Sequence, residues 1–301
     1  MPAEVQPMKV IVASPSRYDA ILSQRMTVET HQSSFFSSGT LGLYQAMQIL
    51  GFRTYHLYEC IANRGLSHIK VFEEAVTAEH NSLSGIKRYN KADYERWLGD
   101  YDCIVEAPSY LGTGLIEAYV NDPNVKFILT ERDPTKWVTS INNTIGPNVE
   151  LSRKFPFVIL KHFDATLFHT HVVIDIVYRV MSGGTALGDA ENTENMQQHY
   201  TEYIRRVKET VPPHRLCHVR LEDGLGWESI CPFLGLPVPE QAYPDRNEPG
   251  KMQQLTQEMF KPMLVTAAIK LSAFVVPAVG IAWWAATNYG PMAVAALGKA
   301  Q

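Results

Sequence analysis

The feature that most constrains the fold is a strand and a helix that meet through a glycine turn within residues 10–50. Residues 10–13 are continuously apolar, which is typical of a buried strand, and a loop containing Arg17 follows them. These residues form the first half of the unit. The second half begins at Ser38-Gly39-Thr40, a glycine turn that starts a helix with apolar positions at helical spacing. Removal of residues 18–37 would join the halves into a strand, loop and helix of the phosphate-cradling kind.

This arrangement predicts an anion site. The first turn of a helix presents backbone N–H groups without intrahelical partners and the positive end of the helix dipole. Glycine lets the backbone approach a ligand closely, and Arg17 would add charge in a planar fork. The turn is not a Walker A loop, because the Gly-x-x-x-x-Gly-Lys spacing is missing. An ordinary strand-to-helix turn accounts for the same residues, so that alternative stays open at this point.

The intervening segment, residues 18–37, is polar and rich in Ser, Thr and Gln, with no clean helical or strand periodicity. A loop of this length is unusual inside a compact α/β core. We hypothesise that it is either an extruded insertion or translated intron-like sequence. Transcript reads that all retain the segment would remove the intron alternative.

The rest of the chain alternates strand and helix patterns, which indicates βαβ units and a parallel sheet. The further predicted strands lie at 53–58, 101–108, 124–130 and 215–221. The predicted helices lie at 40–50, 67–79, 91–99, 114–120, from 134 onward, within a long helical region at 151–182, and at 191–211 and 226–235.

Polar side chains follow several of these strands. Glu106 lies at the end of one strand, and Arg132 ends the next, where Asp133 and Pro134 fit the cap and first position of a helix. Ser140 lies two helical turns further on, so that it and Arg132 could share one phosphate. Ligands bind at the carboxyl ends of strands in doubly wound sheets, so we expect these groups to converge with Arg17 on one crevice.

Composition excludes several classes of protein. A chain of 301 residues with 46% apolar content can bury a sizeable core. The net charge of −4, without a basic run, argues against nucleic-acid binding.

Cysteines occur at 60, 103, 217 and 231 without a Cys-x-x-Cys pair, which favours buried free thiols and implies no zinc site. The histidines at 162, 169 and 171 lack the spacing of a helical metal site and favour satisfied or solvated histidines.

The C-terminal region carries an uncharged apolar run at 271–286, preceded by Lys270, which can extend to a lipid headgroup. With its flanking residues the run reaches the roughly 20 residues that a bilayer requires, and Trp283-Trp284 suits a membrane interface. Lysines at 251, 261 and 270, against Lys299 beyond the run, predict a cytosolic main domain. A buried helix that completes the domain, or a homodimer interface, is the alternative.

Three blocks together resemble the sulfotransferase family, most closely its single-domain sulfotransferase-like branch, whose proteins often end in a hydrophobic anchor. The first block consists of Pro15-Ser16-Arg17 joined to Ser38-Gly39-Thr40-Leu41, together with residues 50–51 and 55–56. The second block is residues 101–140. The third block is residues 227–239 together with Asn247. The resemblance implies an α/β/α, P-loop-like parallel sheet with a helical insert over residues 1–252, and a C-terminal hydrophobic helix over 253–301 as candidate membrane anchor.

The resemblance also implies transfer of a sulfuryl group from 3′-phosphoadenosine 5′-phosphosulfate to a hydroxyl of a small apolar acceptor. It assigns Arg17, Ser38, Gly39 and Thr40 to the 5′ end of this donor. It assigns Arg132 and Ser140 to the 3′-phosphate.

The acceptor-activating base would be Glu106 or His56. Without the resemblance, Glu106 can equally well be interpreted as a solvated residue at the end of a strand. His56 can then be interpreted as a histidine packed in the core.

The chain departs from the family pattern at one place. Residues 18–37 separate Arg17 from Gly39, so the expected cation is missing from the turn unless Arg17 folds back beside it. A catalytically degenerate or repurposed nucleotide-binding protein, tethered to a membrane, is therefore an alternative. A different nucleotide-dependent transferase that uses the same crevice is another.

Overall fold

The computed structural model describes residues 7–15, 38–244 and 249–297. Within these residues, five parallel strands form one sheet in the order β2–β3–β1–β4–β5. The strands are β1 (Val10–Val12), β2 (Thr54–Tyr55), β3 (Cys103–Val105), β4 (Lys126–Glu131) and β5 (Leu216–Arg220). The segment at 18–37 lies outside the described residues, so the insertion hypothesis stays a prediction.

Helices flank the sheet, and the predicted α/β fold is confirmed. They are α1 (Ser38–Ile49), α2 (Leu66–His80), α3 (Lys91–Leu98), α4 (Ala107–Tyr110), α5 (Gly114–Tyr119), α6 (Pro134–Ser152), α7 (Phe157–Leu160), α8 (Ala165–Met181), α9 (Asn192–Thr210), α10 (Trp227–Leu234) and α11 (Pro249–Leu297).

The helical region predicted at 151–182 is interrupted. Helix α6 ends at Ser152, and α8 begins only after Asp164, whose side chain accepts the N–H of Leu167 at 2.8 Å and so caps the new helix. Pro156, which has no N–H to donate to a continuing helix, lies between them. The short helix α7 and a 3₁₀ turn at Lys161–Phe163 fill the gap.

The topology of the sheet brings the polar strand ends together. Strand β1 lies between β3 and β4, and Val12 is level with Val105 on one side and with Ile128 on the other. Its residues are buried on both faces, as expected for a central parallel strand. Strands β2 and β3 lie on one side of β1, whereas β4 and β5 lie on the other. The chain therefore extends the sheet first to one side of β1 and then to the opposite side. This is the switch point at which doubly wound sheets bind ligands.

The cysteines are free thiols, as predicted. Cys60, Cys103 and Cys231 are buried and Cys217 is half-buried. Burial raises the pKa of Cys60 to about 12, so this thiol is protonated and unreactive near neutral pH.

Helix α11 packs on the domain between Met259 and Ala267 and then projects from it. Met259, Phe260, Met263 and Ala267 are buried, and the ring of Phe260 stacks on His171 of α8 with centroids 6.3 Å apart. The most apolar 18-residue window within Glu258–Asn288 has a mean hydropathy of 2.0, and only 6% of this window is buried. The helix is therefore long and apolar enough to cross a membrane. The domain boundary predicted after residue 252 falls within this continuous helix.

The junction of α8 and α11 predicts a pH dependence of stability. Burial, together with nearby Lys161, lowers the pKa of His171 from 6.5 to about 4. Between these values the unfolded chain binds a proton that the folded chain does not. The free energy of unfolding should therefore fall as the pH decreases from 6.5 to 4, by up to about 3 kcal/mol for this one group.

The measurement is chemical unfolding of the full chain in detergent across this pH range. We expect His171→Leu to remove part of the acid destabilisation, whereas His162→Leu, at an exposed position of the preceding turn, should retain all of it. An unchanged pH profile in His171→Leu would show that protonation of this ring does not destabilise the fold.

Candidate functional site

Glu106 follows β3 in a backbone conformation that side chains rarely adopt. Its φ of +67° and ψ of −51° are those of a strained γ-turn, and among the described residues it is the one non-glycine with a positive φ. The N–H and the hydroxyl of Ser109 both donate to the carbonyl of Glu106, at 2.9 and 2.8 Å. Such conformations are costly and tend to occur at functional sites.

The carboxylate of Glu106 is buried between two polar side chains. The hydroxyl of Thr40 donates to Oε1 at 3.0 Å, and Nε2 of His56 lies 3.0 Å from Oε2. All three residues are at most 1% exposed. A carboxylate at this depth is stable only with polar partners, so Glu106, Thr40 and His56 form one buried cluster, which we call the Glu106 cluster.

The backbone fixes the orientation of the His56 ring. Its Nδ1 accepts the N–H of Tyr58 at 3.0 Å, so this nitrogen carries no proton in the arrangement observed. The proton of the neutral ring is then on Nε2, which faces Glu106 and lies 3.5 Å from the Thr40 hydroxyl. His56 is thus placed to donate to the carboxylate and not to accept a proton from a substrate.

The two halves of the glycine-turn unit converge on this cluster. Ala13, directly after β1, is the next position in register with Glu106. Its carbonyl accepts from the hydroxyl of Tyr203 at 3.0 Å, and the Ser14 hydroxyl accepts the N–H of Thr130 at 3.0 Å. The other half reaches the cluster through Thr40 in the first turn of α1.

Of the predicted residues of this unit, one is not described and two are described only in part. Arg17 lies outside the described residues. The backbone of Ser38 and Gly39 belongs to α1, but their side-chain environment is not described.

The second predicted block lies at the same edge of the sheet. Strand β4 ends at Glu131, and the Asp133 side chain accepts the N–H of Lys136 at 2.9 Å, which confirms the predicted helix cap. The Tyr200 hydroxyl accepts the N–H of Arg132 at 2.8 Å and lies 3.0 Å from its carbonyl. Arg132 is half-buried, and Ser140 is fully buried on α6.

A cavity of about 760 Å³ adjoins this edge between α2, α4, α8 and α9. Its lining is mostly apolar, and Pro15, Ser109 and Trp137 connect it to the ends of β1, β3 and β4. The volume suits a small organic molecule. The polar lining side chains include His80, Arg179, His199 and Arg206, and burial lowers the pKa of His80.

The histidines of the 151–182 region have separate surroundings. Nδ1 of His169 lies 2.7 Å from a carboxylate oxygen of Glu73, His162 is exposed, and His171 is buried. In the described part of the chain, no group of three His, Cys, Asp or Glu side chains is arranged to hold a metal ion.

Sequence reasoning named Thr40, His56 and Glu106 but did not place them in contact. It also missed Tyr200, which fixes the backbone of Arg132 and stacks on Trp137 with centroids 4.6 Å apart. Its neighbours lie more than sixty positions away in the chain, so local patterns contain no signal for these contacts.

Two comparisons with known proteins identify the family. A model of the sulfotransferase domain matches residues 33–252. The chain is also 30% identical over 210 residues to the Ava biosynthesis cluster protein M of Aspergillus versicolor, an alignment that covers 69% of this chain and 76% of that protein. The domain match begins after β1, yet β1 is the central strand of the sheet. The chain belongs to the sulfotransferase family.

Proposed function

We propose that this protein transfers a sulfuryl group from 3′-phosphoadenosine 5′-phosphosulfate to a hydroxyl of a small, mostly apolar acceptor. Membership of the sulfotransferase family supports the reaction class. The observation that carries the proposal is the buried carboxylate of Glu106, held at a strained strand end beside the first turn of α1. Strain and burial of a charged group at a ligand-binding edge are typical of a reactive site.

The 5′ end of the donor binds at the start of α1. Helix α1 has no acidic side chain in its first turn, so its free N–H groups and dipole favour an anion there. Ser38, Gly39 and Thr40 provide this turn, and Arg17 adds the cation. The 3′-phosphate binds Arg132 and Ser140, as the Arg-Asp-Pro strand end of the family implies.

In the transfer step the acceptor oxygen attacks sulfur in line with the leaving phosphate. The sulfur–oxygen bond to that phosphate breaks, its electron pair leaves with adenosine 3′,5′-bisphosphate, and the hydroxyl proton passes to Glu106. Positioning and stabilisation of the leaving charge supply most of the catalysis in such a reaction. The Nε2–H of His56 and the Thr40 hydroxyl hold the carboxylate in one orientation, so we assign Glu106 as the base and His56 as a positioning residue.

The acceptor occupies the cavity between α2, α4, α8 and α9. Its apolar lining favours a hydrophobic body, and Ser109 links the cavity to the backbone of Glu106. The C-terminal part of α8 provides Ile176, Val180 and Met181 to the lining of this cavity.

Helix α11 anchors the protein in a membrane. The excess of lysines on the domain side of the apolar run places the main domain in the cytosol.

The second candidate is a catalytically silent nucleotide-binding protein of the same fold. The observation that favours it is the match to the sulfotransferase domain model, which begins at residue 33 and leaves Arg17 outside. Without this cation the 5′ end of the donor would lack its charged partner. Nucleotide binding without transfer would identify this alternative.

Adenosine 3′,5′-bisphosphate should stabilise the folded chain. A ligand at about one hundred times its Kd adds about 2.7 kcal/mol to the free energy of unfolding. Arg132→Ala should abolish this thermal shift because it removes the charge that binds the 3′-phosphate, and Arg96→Ala, at an exposed position of α3, should keep it. Absence of a shift in the unmodified protein at millimolar ligand argues against both candidates, and an unchanged shift in Arg132→Ala refutes the 3′-phosphate assignment.

Glu106→Gln should lower the rate of sulfuryl transfer by roughly 10²–10⁴-fold, the usual contribution of a general base. The amide has nearly the same shape but cannot accept the hydroxyl proton. Binding of adenosine 3′,5′-bisphosphate should persist, and a thermal melt checks the fold. Glu95→Gln, on the exposed side of α3, is the matched control. A transfer rate equal to that of the control would remove Glu106 from the chemistry.

A further inference from the structure

The turn between α6 and α8 exposes apolar side chains beside charged ones. Phe155 is 80% exposed, and Val158 and Ile159 are 37% and 43% exposed. Lys154 and Lys161 flank them. We call residues 153–163 the α7 turn. Phenylalanine and isoleucine are among the residues that a folded domain most often buries, so a cluster of them on the surface indicates a partner for this surface.

The α7 turn lies against α11. The 3₁₀ segment Lys161–Phe163 and α7 both pack on that helix, and the ring of Phe163 meets Phe274 edge to face with centroids 5.9 Å apart. Within residues 258–288, the part of α11 whose burial is described, the buried positions precede this contact and end at Ala267. From Val275 to Asn288 the side chains of α11 are almost all exposed. The α7 turn therefore marks the level at which α11 leaves the domain.

Lengths and charges place the membrane boundary at the same level. At about 1.5 Å per residue, residues 271–288 extend about 27 Å, which is close to a hydrocarbon core of about 30 Å and places Trp283-Trp284 in its far part, toward the opposite interface. No Asp, Glu, Lys, Arg or His occurs at 271–297, and Lys270 is the last charged residue before this stretch. The hydrocarbon boundary thus falls between Lys270 and Phe274, next to Phe163.

We propose that the α7 turn is a second membrane contact, in which Phe155, Val158 and Ile159 insert into the boundary between headgroups and acyl chains of the leaflet that α11 enters. Lys154 and Lys161 then lie among the headgroups, where an ammonium group can interact with anionic lipid. This inference rests on the proposed anchoring role of α11. Two contacts, unlike one tether, fix the orientation of the domain and of its cavity relative to the bilayer.

A depth measurement on the full chain tests this contact. Single cysteines replace Phe155, Ile281 or Leu83 in a background in which half-buried Cys217 is changed to serine, and each is labelled with the fluorophore NBD. The labelled proteins are reconstituted in phosphatidylcholine–phosphatidylserine vesicles with and without doxyl-labelled lipid, and iodide probes exposure to water. Position 281 reports on the anchor.

Leu83 is the matched control because it is an apolar side chain that is 94% exposed and far from the α7 turn. It follows α2, whose end lines the cavity together with the carboxyl end of α8. The α7 turn lies at the other end of α8, whose 17 residues extend about 25 Å.

We expect doxyl lipid to quench NBD at positions 155 and 281 and iodide to quench it at position 83. Quenching at 281 but not at 155 overturns the membrane contact and leaves the anchor intact. Quenching at 155 alone supports the contact and refutes the spanning anchor. Protection of position 155 from both quenchers would identify a protein partner, such as a second copy of this chain, and would also overturn the proposal.

Discussion

The site of this protein depends on one buried carboxylate that three parts of the chain hold in place. Strand β3 delivers Glu106 in a strained conformation, α1 provides the hydroxyl of Thr40, and the turn after β2 provides the ring of His56. Removal of Thr40 or His56 would cost the buried carboxylate one of its polar contacts, which is destabilising at this depth. The relative positions of β2, β3 and α1 are therefore coupled to the chemistry of this carboxylate.

The order of the strands explains why the proposed donor and acceptor sites meet at this edge. Since β1 lies between β3 and β4, the start of α1, the end of β3 and the end of β4 all face the crevice at the switch point. Tyr200 and Tyr203 of α9 fix the backbone that leaves β4 and β1 through their hydroxyls. Helix α9 thus positions both sides of the proposed donor site. The neighbouring helix α8 contacts α11 through His171 and Phe260.

Much of this architecture could be predicted from local patterns, because apolar strands that alternate with amphipathic helices specify a parallel sheet, and Asp133-Pro134 specifies a helix start. Other features could not be. Glutamate has no preference for positive φ, so the strain at Glu106 has no local signal. The contact between His56 and Glu106 depends on the pairing of β2 with β3, fifty residues apart. The long helical pattern of 151–182 also concealed the break between Ser152 and Asp164, although Pro156 and Asp164 are its local causes.

The most direct test of the proposed donor site is a crystal structure of the full chain with adenosine 3′,5′-bisphosphate. We expect the 3′-phosphate within hydrogen-bonding distance of Arg132 and Ser140. We expect the 5′-phosphate at the first turn of α1, beside Thr40 and the carboxylate of Glu106. A nucleotide bound away from the carboxyl edge of the sheet, or bound with the 5′-phosphate at Arg132, would contradict the proposed donor site.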